Sequence, residues 1–118
     1  MTLDPDDLAR HRTIDLTTIG RHSGLPRTVE IWWFRVEGRF VITGTPGRRD
    51  WLANVLADPR VVIRAGQNEV GATVAPVVDA SFRRRVFTDP MTSWYETQAE
   101  LDRLVELAPM VEVVFTNE

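Results

Sequence analysis

The chain has 118 residues, of which 43% are hydrophobic and 26% are charged, and its formal net charge is −3. These values are typical of one globular domain with its own core, and the chain is too short for two such domains. The absence of cysteine excludes disulfides, thiolate metal sites and a cysteine nucleophile. No apolar run reaches the ~18 residues that a membrane-spanning helix needs.

All 14 basic residues are arginines, so every basic contact with an anion must come from a guanidinium group or a histidine. Arginines outnumber acidic residues between positions 20 and 64, whereas the rest of the chain is acidic. This asymmetry predicts a local anionic ligand and argues against a long nucleic acid. The N-terminal residues are acidic and lack the apolar core of a secretory signal, so the expected location is the cytoplasm.

The first half of the chain predicts one helix and three strands. Residues 4–12 indicate a short helix, because Asp4 can cap it and Pro5 suits its first turn. Strands are predicted over 13–18, 28–36 and 40–45, with reversals at 20–26 and 37–39. Three successive aromatic residues at 32–34 break the alternation of the second strand, so both of its faces are expected to be covered.

The second half predicts shorter strands with helices between them. A helix opens at residues 48–50 and stops at Asp58-Pro59, and strands are expected over 61–65, 69–78 and 111–115. The segment 61–65, which is apolar except for Arg64, indicates a central strand. Asp79 caps a basic segment, 81–88, whose three arginines at 83–85 are interpreted as a solvated helix face. Residues 92–107 predict one helix with Trp94, Gln98, Leu101, Val105 and Ala108 on one face.

These elements define the expected fold class, mainly β with short α-helices (α+β). About six mostly antiparallel strands of this length favour a small barrel, and closure would remove exposed strand edges. One domain, 1–118, is expected, with an N-terminal helix at 1–12 and a barrel core at 13–78. A helical segment at 79–108 and a last strand at 110–116 complete it.

The loop between the first two strands is a candidate anion site. Its glycines and Pro26 fix a tight reversal, from which Arg21 and Arg27 project. Two guanidinium groups on one turn can bind an anion through charge-assisted hydrogen bonds. His22, at the centre of the loop, is either a phosphate contact or an idle exposed imidazole.

The segment 44–49 is a second candidate. Thr45 and the backbone amides around Gly47, near the predicted start of a helix, can receive a phosphate, and Arg48 and Arg49 would reinforce this. The alternative is a plain strand-to-helix turn at Gly44 with solvated arginines. Considered together with the first loop, the anion site is favoured.

No nucleophile–base pair or nucleotide-binding glycine motif is present, and the two histidines lack metal-binding spacing. An enzyme of this kind can act when a cofactor carries the chemistry and the protein supplies position and electrostatics. The tryptophans at 32, 33, 51 and 94 either stack on a planar ligand or belong to the core. The profile suits redox chemistry on a flavin-like ring.

One motif is more specific than the rest: Leu16-Thr17-Thr18-x-Gly20-Arg21-x-Ser23-Gly24-x-Pro26-Arg27. It is followed by an aromatic strand, a Gly-rich turn and Trp51-x-x-Asn54. In these features the chain resembles the deazaflavin-dependent nitroreductase family, from about Ile14 to Phe115. The resemblance implies a split β-barrel related to flavin-binding barrels and the deazaflavin coenzyme F420.

The resemblance also implies the site. The cofactor-binding set is Arg21, His22, Ser23, Arg27, Thr28, Gly44, Thr45, Gly47, Arg48, Arg49, Trp51 and Asn54. The substrate pocket is Trp32, Trp94 and Tyr95, with Tyr95, the only tyrosine, as candidate catalytic proton donor. His22 and Pro46 stand where family members carry stronger bases, and nearby arginines would replace that charge.

The expected function is hydride transfer from reduced F420 to an electron-poor acceptor, namely a quinone, an enone or a nitroaromatic. One alternative is a non-catalytic binding protein for a flavin, haem or fatty acid, and another is an FMN-dependent reductase. The expected partner is a small-molecule acceptor, with no nucleic acid, metal or transmembrane segment involved. Split barrels often pair through sheet surfaces, and the aromatic run 32–34 would suit a homodimer interface.

Overall fold

A computed structural model describes residues 4–115, which form a closed antiparallel barrel of six strands in the order β1-β2-β3-β6-β5-β4. The strands are β1 Thr13–Ile19, β2 Pro26–Val36, β3 Arg39–Thr43, β4 Arg60–Ala65, β5 Asn68–Pro76 and β6 Met110–Phe115. Pairing of β1 with β4 closes the barrel, with Leu16 opposite Ile63. The predicted mainly β class, with a small barrel and short helices, is confirmed.

The helices are α1 Pro5–Ala9, α2 Asp50–Ala57, α3 Ala80–Phe87 and α4 Leu101–Leu107, with a 3-10 helix at Ser93–Thr97. The predicted caps of α1 and α3 are confirmed, since the carboxylates of Asp4 and Asp79 each accept a backbone N–H at 2.9 Å. None of the helices found in residues 4–115 has the length and apolar character to cross a membrane. Residues 1–3 and 116 of the predicted segments lie outside the described residues.

Two hydrophobic cores lie on opposite sides of the sheet. Trp33 points into the barrel, where it packs with residues such as Leu16 and Phe40, and it is 2% exposed. Its neighbour Phe34, 1% exposed, packs in the second core, which also contains residues of α3 and α4. Both faces of β2 are therefore covered there, as predicted. Of the aromatic run suggested as an interface, only Trp32 is exposed.

The prediction that 61–65 is a central strand is confirmed, because β4 pairs with β1 on one side and with β5 on the other. Burial alternates along β4, with Val61 and Ile63 inside the barrel and Val62 exposed. Arg64 is exposed on the same face as Val62, so one face of the strand is apolar and buried and the other is not. It belongs to a barrel wall with one covered face.

The prediction of one helix over 92–107 is also wrong, because residues 98–100 separate the 3-10 helix from α4. Tyr95 in the 3-10 helix is buried against Phe34 and Phe87, whereas Trp94, placed on the buried face by the periodicity, is 39% exposed. The packing of Tyr95 in the second core fixes the orientation of the 3-10 helix. The helical periodicity could not anticipate that contact.

The interpretation of residues 83–85 as a solvated face is wrong for Arg83, which is 8% exposed. Its guanidinium donates to the carbonyl oxygens of Val77 at 2.8 Å and Val105 at 2.6 Å, and also to that of Ala108. Burial lowers the pKa of this guanidinium. The side chain joins α3 to the end of α4 and to the segment that leaves β5.

Candidate functional site

The loop between β1 and β2 is a tight, internally bonded reversal. The Gly20 amide donates to the Leu25 carbonyl at 2.8 Å, and the Gly24 amide donates to the Gly20 carbonyl at 2.8 Å. A Cβ at Gly20 would lie 3.2 Å from the Leu25 carbonyl oxygen, and Gly24 has a φ of +72°. Glycine is therefore favoured at both positions, at Gly20 because a side chain would crowd the Leu25 carbonyl and at Gly24 because of the positive φ.

Asn54 on α2 fastens this loop to the barrel. The Asn54 side chain is 4% exposed, and its Oδ1 accepts from the Arg21 amide at 3.1 Å and from Arg21 Nη1 at 2.9 Å. Its Nδ2 donates to the Thr18 hydroxyl at 3.1 Å. A second, weaker contact joins Arg21 Nη2 to the exposed Asp50 carboxylate at 3.4 Å. The network gives Arg21 a defined direction before any ligand binds.

A cavity of about 510 Å³ lies between the loop and α2. Its lining is Thr18, Gly20, Arg21, His22, Ser23, Pro26, Arg27, Thr28, Val29, Asp50, Trp51 and Asn54. Within residues 4–115, Arg27 has no carboxylate at ion-pair distance, so its charge is available to a ligand. Two arginines against one aspartate leave the cavity positive, which suits an anion.

The structure thus brings together seven of the predicted cofactor-binding residues. They are Arg21, His22, Ser23, Arg27, Thr28, Trp51 and Asn54. Asp50 and Thr18 also line the cavity but were not predicted to belong to the site. Thr18 lies within the Thr-Thr-x-Gly-Arg motif and Asp50 immediately precedes Trp51, so proximity to the motifs was the available signal.

The remaining predicted residues, 44–49, do not line this cavity. Arg49 folds back, and its Nη2 donates to the Thr45 carbonyl at 2.9 Å and to the Thr45 hydroxyl at 3.2 Å. Helix α2 begins at Asp50 with Arg49 as N-cap, so the amides around Gly47 precede the helix. Gly47 instead borders an apolar groove of about 530 Å³ on another side of α2. Arg48 is exposed outside the cavity.

The predicted substrate-pocket residues lie together as one aromatic group, Trp32, Trp94 and Tyr95. The rings of Trp94 and Tyr95 stack with centroids 4.1 Å apart, and the Trp32 ring meets Trp94 edge-on at 5.3 Å. Trp32 and Trp94 are 41% and 39% exposed, so the group has an accessible side. None of the three lines the cavity at the loop.

Tyr95 is 4% exposed, so it is a buried residue and not a tyrosine on the helix surface. Burial raises the pKa of Tyr95 to about 12, and the positive charges of Arg12 and Arg49 act in the opposite direction. The phenol is therefore protonated at neutral pH. It can donate a hydrogen bond and cannot act as a base there.

The described part of the chain holds no group of three side chains suited to binding a metal ion. It provides an arginine-lined cavity and an aromatic group, joined by β2, which contributes Thr28 and Val29 to the first and Trp32 to the second. A closed antiparallel barrel with an arginine-lined cavity at the β1–β2 loop defines a protein of the split-barrel class.

Solved structures agree with this class. The fold superposes on an F420-H2 dependent reductase, FDR-A, with a TM-score of 0.63 and 22% identity, covering 86% of this chain and 93% of that one. A conserved hypothetical protein from Mycobacterium tuberculosis matches with a TM-score of 0.73 and 18% identity, over 99% and 83% of the two chains. A FAD-binding protein from Mesorhizobium loti matches with a TM-score of 0.65 and 16% identity, over 95% and 86%.

The sequence matches the model of the F420H(2)-dependent quinone reductase family over residues 6–112. The chain therefore belongs to this family, and it is an F420-dependent oxidoreductase. No curated protein matches the sequence significantly. The predicted family resemblance and the enzyme class are confirmed.

Proposed function

We propose that this protein reduces a quinone by hydride transfer from reduced F420, which binds with its acidic tail in the cavity at the β1–β2 loop. The observation that carries this proposal is the pairing of Arg27, free of any described acidic partner, with a pre-oriented Arg21. The description of the family, F420H(2)-dependent quinone reductase, supports a quinone as the acceptor. The half-exposed tryptophan pair at residues 32 and 94 supplies a surface for a planar ring.

The donor set of the cavity fits the phosphate and carboxylate groups of the coenzyme. A guanidinium has five N–H donors, and Arg21 uses one on Asn54 and one in the weak contact with Asp50, so others remain for a ligand. Arg27 and His22 add donors beside it. Such charge-assisted hydrogen bonds are the strong ones in anion recognition.

When bound, the reduced coenzyme supplies the hydride and its electron pair. The loop arginines hold the anionic end, and Asn54 keeps Arg21 in place. The aromatic group receives the acceptor ring, and the protonated Tyr95 hydroxyl donates to an acceptor oxygen. The protein contributes position and electrostatics, because it offers no nucleophile–base pair for covalent chemistry.

The test is a titration of the purified protein with oxidised F420, followed by absorbance and fluorescence. We expect saturable binding that weakens about ten- to a hundredfold for each of Arg21→Ala and Arg27→Ala, because each removes charged hydrogen bonds. Stopped-flow mixing of reduced F420 with a naphthoquinone then measures turnover.

Arg84→Ala is the matched control, since Arg84 is exposed on α3 and paired with Asp102, away from the cavity. It should bind the coenzyme as the unmodified protein does. Unchanged coenzyme affinity in the Arg21→Ala, Arg27→Ala double variant would contradict the assignment of the loop. Coenzyme binding without quinone turnover would contradict the acceptor class.

A further inference from the structure

Two arginines near the aromatic group have no acidic partner in the described chain. Arg12 and Arg49 make no ion pair within residues 4–115. Arg12 lies at the junction of α1 and β1, and Arg49 is the N-cap of α2, so the two cations come from separate parts of the chain. Both act electrostatically on the buried Tyr95 hydroxyl.

Arg12 is held where it is by rigid contacts. Its carbonyl oxygen accepts the Trp33 amide at 3.0 Å, which adds a backbone bond between β2 and the residue that precedes β1. Its guanidinium carbon lies 5.9 Å from the centroid of the Trp32 ring and 5.4 Å from that of Phe34. The charge is thus positioned against the aromatic rings while the side chain stays exposed.

Arg49 is fixed differently. Its hydrogen bonds to the Thr45 carbonyl and hydroxyl hold the guanidinium over the turn that follows β3. β3 pairs with β2, with Ile42 opposite Trp33, so this turn continues alongside the strand that carries Trp32. An accessible aromatic surface, one buried phenol and two unpaired cations therefore share one region of the molecule.

We propose that Arg12, together with Arg49, stabilises the negative charge that develops on a quinone oxygen bound at the aromatic group. This role rests on the proposed quinone reductase function. Reduction adds a hydride and its electron pair to the quinone, and the reduced coenzyme is oxidised by two electrons. The acceptor then carries a full negative charge on oxygen until a proton from solvent completes the hydroquinone. Fixed cations beside that oxygen lower the barrier, because the charge they contact is larger after transfer than before.

The test uses two ligands that differ in charge and hardly in shape. Lawsone is a hydroxynaphthoquinone that is an anion at neutral pH, so it imitates the charged product; its methyl ether is neutral. Quenching of tryptophan fluorescence reports binding of each without any coenzyme present. We expect the protein to bind the anion more tightly, and Arg12→Gln to weaken the anion about tenfold while changing the ether less than twofold.

Arg10→Gln is the matched control, because Arg10 lies two residues away with its side chain 78% exposed and paired only with Asp7. It should leave both affinities unchanged. Arg21→Ala is the second control and tests whether lawsone binds at the loop cavity instead. The proposal would be overturned if Arg12→Gln weakened the binding of both ligands equally. It would also be overturned if lawsone binding were lost in Arg21→Ala but unchanged in Arg12→Gln.

A kinetic measurement separates this proposal from the function on which it rests. In stopped-flow reduction of the neutral methyl ether, Arg12→Gln should lower kcat about tenfold, with unchanged affinity for oxidised F420 and little change in KM. Partial rescue by Arg12→Lys would indicate that charge is what matters. If the unmodified protein failed to bind F420, the proposed function would be contradicted. The comparison of lawsone with its methyl ether could still be interpreted, because it is made without the coenzyme.

Discussion

At the residue scale, the buried side-chain amide of Asn54 organises the loop around Arg21. Both polar atoms of the Asn54 side chain are used: Oδ1 accepts from Arg21, and Nδ2 donates to Thr18. Long arginine side chains lose rotamer entropy when a ligand fixes them, and an arginine that is already oriented loses less. Asn54, which was predicted to contact the cofactor directly, therefore positions Arg21.

Because Tyr95 is the only tyrosine of the sequence, its buried phenol predicts how the stability of the fold depends on alkaline pH. The chain has no cysteine, one tyrosine and only arginine among its strong bases. Tyr95 is therefore the one side chain of the sequence whose ordinary pKa lies near 10. Its folded pKa is raised by burial from 10 to about 12.

A raised pKa means that the folded protein holds the proton more tightly than the unfolded chain does. The corresponding stability is fully present below pH 10 and is lost as the pH rises towards 12. We expect a loss of about 2 to 3 kcal/mol across this window. Urea denaturation at several pH values measures it, and tyrosinate absorbance should appear together with unfolding. In Tyr95→Phe the decline should be absent; an equal decline there would refute the assignment to this phenol.

At the scale of elements, the helices do more than connect strands. Helix α3 packs against α4 and the 3-10 helix and contributes Phe82 and Val86 to the second core, which lies on the outer face of the barrel wall. Arg83 of α3 strengthens the packing against α4 by donating to the carbonyl oxygens of Val105 and Ala108. Those oxygens belong to the last turn and C-cap of α4, where no intrahelical donor is available.

Arg83→Met should destabilise the fold by about 3 kcal/mol, because it leaves three buried carbonyl oxygens without their donor. Chemical denaturation followed by circular dichroism measures the change. Arg84→Met is the neighbouring control, since Arg84 is half-exposed and pairs with an exposed aspartate, and it should cost less than about 1 kcal/mol. Similar losses in the two variants would show that the carbonyl contacts of Arg83 contribute little.

At the scale of the whole molecule, the last strand completes the barrel. β6 lies between β3 and β5, so residues 110–115 pair with strands that begin at positions 39 and 68. Val113 points into the barrel opposite Phe40 and Val74 and is 5% exposed, whereas its neighbour Val114 is 49% exposed. The difference in exposed fraction between these neighbours shows that the barrel wall separates an apolar interior from solvent.

A matched pair of substitutions tests this separation. Val113→Asp places an unpaired carboxylate in the barrel and should cost more than about 3 kcal/mol, enough to leave much of the protein unfolded. Val114→Asp, on the outer face, should change the free energy of unfolding by less than about 1 kcal/mol. Far-UV circular dichroism and urea titration distinguish the two. Equal tolerance of both changes would be incompatible with a closed, dry barrel.

Much of the molecule follows from local patterns in the sequence. The hairpin loop, the caps at Asp4 and Asp79 and the succession of six strands along the chain depend on residues close together in the sequence. Turn chemistry and the alternation of apolar residues decide these features. The loop was expected to bind an anion together with residues 44–49, and that segment does not line the cavity. Trp51 and Asn54, which also belong to the predicted cofactor-binding set, line it with the loop instead.

Only the tertiary structure decided which polar residues are buried and which arginines remain free. Arg83, Arg84 and Arg85 look alike in the sequence, yet one is bonded to three carbonyl oxygens and the others pair at the surface. The helix predicted through residue 94 gave way to a 3-10 turn because Tyr95 packs against Phe34 from a distant strand. Residues 44–49 turned away from the cavity because Arg49 bonds to Thr45. Each outcome depends on contacts between residues far apart in the chain or on side-chain geometry, neither of which is encoded in periodicity or spacing.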